Sequence, residues 1–213
     1  MGKLKISLDK LTVVKKNEVN KDEPYLWIFG IVIDSDTLLK DKSPIIKKNP
    51  KDGNLRCEKF KKGESADIPE KLGIIQKAVV PIPLVNIAVA GLIVFAWEHD
   101  TTSRQAQTEA YDATADTLEK AILGNLENLN ANSASLSNKD IDKIAADIEE
   151  IIKEIYKKDA KWFNIFGGLA DDFIGQDSCI LQLESDISKN LRFKFNEKKG
   201  SEYKIDGKFI YIV

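Results

Sequence analysis

Apolar and polar positions alternate with a period of two near both ends of the chain and switch to a helical period between them. Residues 3–8 (Lys3, Leu4, Lys5, Ile6, Ser7, Leu8) predict a first strand, which 11–15 extends. A polar loop at 17–22 leads into 25–34, where Trp27, Ile28, Phe29, Ile31, Val32 and Ile33 predict a strong second strand. Short strands are predicted at 64–69 and 74–80. The stretch 78–97 is almost wholly apolar and as long as a membrane span. Pro81 and Pro83 break its first half, Asn86 interrupts it, and Val85, Ile87, Val89, Ile93 and Val94 are β-branched. It therefore reads as a strand at 84–97 buried on both faces, since a strand that meets water on neither side needs no polar alternation.

The spacing then changes. Tyr111, Ala115, Leu118, Ile122, Leu126 and Leu129 share one face of a helix predicted over 103–130. A polar turn at 130–138 follows, and Asp140 can cap a second helix over 140–157. Two helices of similar length joined by a short polar turn predict an antiparallel αα-hairpin. Strand character returns at 178–183 and 191–195, and 203–213 predicts a last strand, or a pair bent at Asp206-Gly207. The expected fold is mainly β with an α insert: an eight-stranded antiparallel β-sandwich built from 1–100 and 171–213, interrupted by a helical hairpin at 101–170. The helices come together and do not alternate with strands, which argues against a doubly wound α/β fold.

Composition narrows the function classes. The 213 residues are 43% hydrophobic and 31% charged, enough for a core under a well-solvated surface. A net charge of −2 gives no global attraction to nucleic acid or to an anionic membrane, so any such attraction must be local. Abundant Lys, Asn and Ile with scarce Arg point to an AT-rich bacterial coding sequence. Met1 to Ser7 runs straight into the first strand with no apolar leader, so a cytoplasmic location is expected. Cys57 and Cys179 lie far apart without metal spacing; two free thiols are the simpler reading and a disulfide the alternative. His99 is the sole histidine, so neither a zinc ligand set nor a hydrolytic triad is in view, and no glycine-rich phosphate loop is present. A non-enzymatic role is expected.

Three segments carry a more specific signal. Asn17-Glu18-Val19-Asn20-Lys21-Asp22-Glu23-Pro24-Tyr25-Leu26 places an acidic-Pro-Tyr step before a hydrophobic strand. Phe95-Ala96-Trp97-Glu98-His99-Asp100 ends a strand on an acidic-x-acidic step, and Asp171-Asp172-Phe173-Ile174-Gly175 follows some seventy residues later. In that order they resemble the first calcium loop and the two halves of the third calcium loop of C2 domains, with the helical segment inserted between the halves. Ile45-Ile46-Lys47-Lys48-Asn49-Pro50 is a weaker echo of the same family. The resemblance implies a C2-like sandwich whose loop end docks on a membrane surface or a protein partner, with calcium as the cofactor. Carried across by position, the calcium ligands are Asn17, Glu23, Glu98, Asp100 and Asp172, with Asp22 and Asp171 adjacent. The family usually has Asp at the places of Asn17, Glu23 and Glu98. Asn17 removes a charge and each Glu lengthens a ligand arm, so the implied affinity is weak, ~10⁻⁴–10⁻³ M, or absent, and a fold of this family that has lost calcium, its acids serving as solvated loop residues, is the alternative.

Two other readings stay open. The fold can serve as a metal-independent structural or assembly protein that oligomerises through the helical insert. The lysine-rich stretch 37–62, with nine basic and three acidic residues, is either a solvated loop or an anionic-lipid patch. Its few aromatics and intermixed acids argue against nucleic acid.

Overall fold

A computed structural model of the chain describes residues 1–15, 23–40, 42–49, 55, 60–83, 86–98, 104–130, 172–196 and 201–213. In chain order the elements are β1 (Gly2–Lys15), β2 (Pro24–Ile33), α1 (Ser35–Leu39), β3 (Ile45–Lys47), β4 (Ser65–Asp67), α2 (Glu70–Gly73), β5 (Ile74–Val79), β6 (Ala88–Glu98), α3 (Arg104–Asn130), β7 (Asp172–Leu183), β8 (Ile187–Asn196) and β9 (Glu202–Ile212). The fold is mainly β, with two antiparallel sheets. Nine strands are described where eight were expected. The extra one is β3; β4 and β5, both expected, line one edge of β1, β4 beside Lys10–Thr12 and β5 beside Gly2–Ser7, and α2 breaks that edge between them.

In the first sheet β1 lies between that broken edge and β9, and β8 is outermost. β1 buries Leu4, Ile6 and Leu8, then Leu11 and Val13, so its alternation changes phase midway. The ladder with β9 shifts at this point: Leu8 pairs with Gly207 and Lys10 with Asp206, which leaves Asp9 as a bulge residue. Without it, period-two geometry would turn Leu11 and Val13 to solvent. The Asp9 carbonyl accepts the Ile68 N–H at 2.9 Å. Asp206-Gly207, expected as a bend, therefore lies inside one continuous strand. Glycine is needed there because a Cβ would sit 2.3 Å from the Ser7 carbonyl oxygen.

The second sheet has the order β3-β2-β6-β7. All ten residues of β2 are buried. One face, with Leu26, Ile28, Val32, Leu92 and Val94, joins the inward residues of the first sheet in a common core that includes Ile6, Phe193, Ile205 and Phe209. The other face, with Tyr25, Trp27, Phe29, Phe95 and Trp97, packs against Ala110, Tyr111, Ala115, Leu118 and Ile122 of α3. This confirms the two-faced burial expected from the 78–97 run. Two carboxylate-to-backbone links, one buried and one exposed, tie the strands at the edges. Asp34, 1% exposed, caps α1 through the Asp36 and Thr37 N–H groups and also accepts the Val80 N–H that follows β5. Asp177 of β7 accepts the Lys194 N–H of β8.

Some boundaries differ from expectation. β6 starts at Ala88 because the chain first turns between the bridged pair Ile82 and Ile87, with Asn86 at φ 54°. β7 starts at Asp172, six residues before the expected strand, since the ladder with β6 continues to Glu98. The lysine-rich stretch contains α1's last three residues and β3, neither expected. α3 matches the first predicted helix; the second, over 140–157, lies outside the described residues, so an αα-hairpin is not evident. Among the described residues no helix is long and apolar enough to cross a membrane.

Replacing Gly207 with Ala forces a methyl onto the Ser7 carbonyl and Leu8. The expected cost is about 1–3 kcal/mol, read as a lower urea midpoint at unchanged slope. An unchanged midpoint would show that the bulge adapts freely.

Candidate functional site

The strand ends that carry the acidic segments meet in one row. Pro24, the first residue of β2, pairs with Glu98, the last of β6, and Glu98 pairs with Asp172, the first of β7. Glu23 is half-buried immediately before Pro24. Three of the five candidate ligands thus fall at one end of one sheet, on or beside adjacent strands. Asn17 and Asp100 lie outside the described residues, as do Asp22, Asp171, His99 and Cys57. Among the described residues no group of three or more His, Cys, Asp or Glu is placed to hold a metal ion.

The Glu98–Asp172 pairing also fixes where the insert leaves and returns. Residues 99–171 depart from one ladder position and rejoin the sheet at the position beside it. Close by, the ladder slips: Ala96 pairs with Gly175 and Trp97 with Phe173, leaving buried Ile174 as the extra residue. Beneath the acidic row lies an aromatic layer. Tyr25 and Trp97 stack with centroids 6.0 Å apart and planes 8° from parallel, and Trp27 lies 4.7 Å from Trp97.

α3, the described part of the insert, is fastened to the sheet by Tyr111. The β2–β3 ladder pairs Phe29 with Lys47 and Ile31 with Ile45, so Ile28 stands opposite Lys48. The two do not bond directly. The Lys48 N–H donates to the Tyr111 hydroxyl at 2.6 Å, and that hydroxyl donates to the Ile28 carbonyl at 3.1 Å. The side chain thus replaces the next ladder bond and ends β3. Its ring stacks on Phe29 at 4.5 Å and meets Trp27 edge-on at 6.0 Å. Burial pushes the Tyr111 hydroxyl far above its ordinary pKa, so it stays a donor at any working pH.

Nearby charges are consumed internally. Lys47 reaches Asp116 at 3.1 Å and Asp112 at 3.6 Å on α3. Burial pulls its ammonium pKa down, but these two aspartates outweigh that and leave it raised. Lys48 Nζ donates to the Ile74 carbonyl, and burial lowers its pKa. Lys40 and Lys42 both pair with Asp36, whose carboxyl their hydrogen bonds bring down to about 2. Four lysines of the 37–62 stretch are thus occupied within the molecule, which weakens its reading as a lipid patch. Cys179, half-buried on β7, forms no disulfide, and Lys189 Nζ lies 4.0 Å from its sulfur.

Comparison with protein-family models, with curated proteins and with solved structures finds no match to the chain. The acidic row therefore stands on its own geometry. Sequence reasoning placed Tyr111 on an apolar helix face but missed its hydroxyl's role, because the ladder position it fills is 83 residues away in the chain.

Tyr111→Phe keeps the ring contacts and deletes both hydrogen bonds. The expected loss is about 1–3 kcal/mol, since the Lys48 N–H and Ile28 carbonyl are left without this partner. Hydrogen exchange at the Lys48 amide should accelerate with it. Unchanged stability and unchanged Lys48 exchange would remove the latch.

Proposed function

We propose that the chain is a C2-like binding module, an antiparallel sandwich that docks through its acidic loop end on an anionic membrane surface or a protein partner. The observation that carries this reading is the pairing of Glu98 with Asp172 beside Pro24, which supports joining the split acidic segments into one rim. Its donor chemistry suits calcium, a hard cation that takes oxygen ligands from carboxylates and carbonyls. Glu23, Glu98 and Asp172, with Asn17 and Asp100 from the neighbouring sequence, would hold the ion. When bound, calcium would supply the positive charge that an anionic headgroup or carboxylate needs at this end. The long Glu arms and the neutral Asn17 favour weak binding, with Kd ~10⁻⁴–10⁻³ M.

A metal-independent assembly role through the insert has less support. The apolar face of α3 is already buried against the second sheet, so an oligomer would have to use other surfaces of the insert.

The deciding measurement is co-sedimentation with vesicles containing phosphatidylserine, with and without calcium. Binding should rise with calcium, and Asp100→Asn with Asp172→Asn should abolish the rise while leaving the melting temperature in calcium-free buffer equal or higher, because like-charge repulsion is relieved. Absence of any calcium-dependent rise sinks the membrane form of the proposal. If the full chain sediments as an oligomer and deletion of 131–157, which spares α3, reduces it to a monomer, the assembly role replaces it.

A further inference from the structure

The outer face of the first sheet carries charge in two unlike halves. Around the second half of β1, acids and bases alternate: Lys10 lies between Asp67 and Asp206, and Asp206 accepts Arg192 Nε at 3.0 Å and Lys204 Nζ at 2.8 Å. Around the first half the pattern is different. Three successive rows of the ladder hold Lys3 beside Ile212, Lys5 beside Ile210, and Ser7 beside Lys208, and their flanking residues on β5 and β8 are Ala78, Gln76, Ile74, Ser188 and Asn190. No carboxylate occurs among these paired residues; the nearest in the β8 direction is Asp186, the residue before β8, which lies beyond Ile212 and accepts the Val213 N–H at 2.9 Å. Lys3, Lys5 and Lys208 are exposed and form no salt bridge among the described residues. Ile212 is 53% exposed, one of few large hydrophobic side chains so placed. An open groove of about 560 Å³ runs between Lys3, Lys5, Gln76, Lys77, Ile210 and Ile212.

We propose that these three rows form a calcium-independent docking face for an anionic lipid bilayer. The charge is complementary: uncompensated ammonium groups project from a sheet face, the geometry that a planar array of lipid phosphates and carboxylates can meet at several points together. The aliphatic side chains decide the class of partner. Ile210 and Ile212 stand among the lysines, and a bilayer accepts apolar groups at the boundary between headgroups and acyl chains while lysines stay at the headgroups. A nucleic acid would offer Ile210 and Ile212 no such environment. It would also favour planar Arg forks and stacking aromatics, yet Arg192 is tied to Asp206 and the aromatic side chains of β9, Tyr203, Phe209 and Tyr211, are buried in the core. Nothing here rests on the acidic loop end, which follows the opposite end of β1.

A lysine close to an anionic leaflet changes the partition coefficient by about fivefold. The test is binding of the full chain, in EDTA, to vesicles of phosphatidylcholine with and without phosphatidylserine. Binding is expected only with phosphatidylserine and should fall as salt rises, because exposed charges are screened over about 8–10 Å. Lys3→Gln, Lys5→Gln and Lys208→Gln together should lower it on the order of 100-fold, with melting unchanged. Lys40→Gln with Lys42→Gln, whose ammoniums are held by Asp36, should leave binding as it was. Equal binding of wild type and triple variant in EDTA overturns the proposal. So does loss of affinity for duplex DNA in the triple variant when neither protein binds vesicles. The EDTA arm reads this face alone and the increment on adding calcium reads the loop end, so failure of either leaves the other standing or falling on its own result.

Discussion

The constraint on which the rest of the structure depends is that β2 and β6 bury both faces. Each strand supplies one set of side chains to the core shared with the first sheet and another to the layer under α3. Without the helix, Tyr25, Trp27, Phe29, Phe95 and Trp97 would form an exposed apolar patch on one face. Aromatic side chains bury roughly 150–250 Å² each, so that patch would exceed what monomeric soluble proteins ordinarily expose. α3 is therefore part of the fold, and its attachment needs an address as well as an apolar stripe. Tyr111 supplies the address, because its hydroxyl fits only where the β2–β3 ladder lacks its next bond. The Lys47 pair with Asp112 and Asp116 adds charge at the same place, though these groups are exposed enough that solvent weakens the attraction.

How much of this was legible in the chain depends on whether local pattern or distant contact set each feature. β2 and β6 were legible because an unbroken β-branched run has few other homes. α3 was legible because Tyr111, Ala115, Leu118 and Ile122 keep a helical period and all four are buried. The phase change in β1 was visible as Leu8 followed by Leu11, but its meaning came from β9, some two hundred residues later, which pairs across the bulge. β3 is three residues long and lies among lysines, so it exists only because β2 offers it an edge. At the acidic end the order of the segments could be read, whereas the adjacency of Glu98 and Asp172 could not. Seventy-three residues separate them in the chain, and only the ladder brings them side by side.

A net charge of −2 conceals how the charges are arranged. Within the 37–62 stretch the described lysines near α1 and β3 meet aspartates or a carbonyl inside the molecule, and a segment that looks basic in the sequence offers less free charge than its composition suggests. Lys3, Lys5 and Lys208 look unremarkable in the sequence, two near one end and one near the other, and antiparallel pairing gathers them into adjacent rows. Pairing register therefore decides which lysines remain available, and a count along the chain does not.

The same register separates the two charged regions. Lys3 and Lys15 lie twelve positions apart on β1, about 40 Å at the rise of an extended strand, and the connection to β2 and the acidic row begins only after Lys15. Screening in physiological salt acts over about 8 Å. Along β1, the rows at Lys3 and Lys5 are thus several screening lengths from the end that leads to Glu23, Glu98 and Asp172. Carboxylates there do little to cancel the field over the basic rows, and the lysines do little to neutralise the acidic row. A nearly neutral protein can in this way carry two surfaces of opposite preference. Each responds to its own local field, and the overall charge predicts the behaviour of neither.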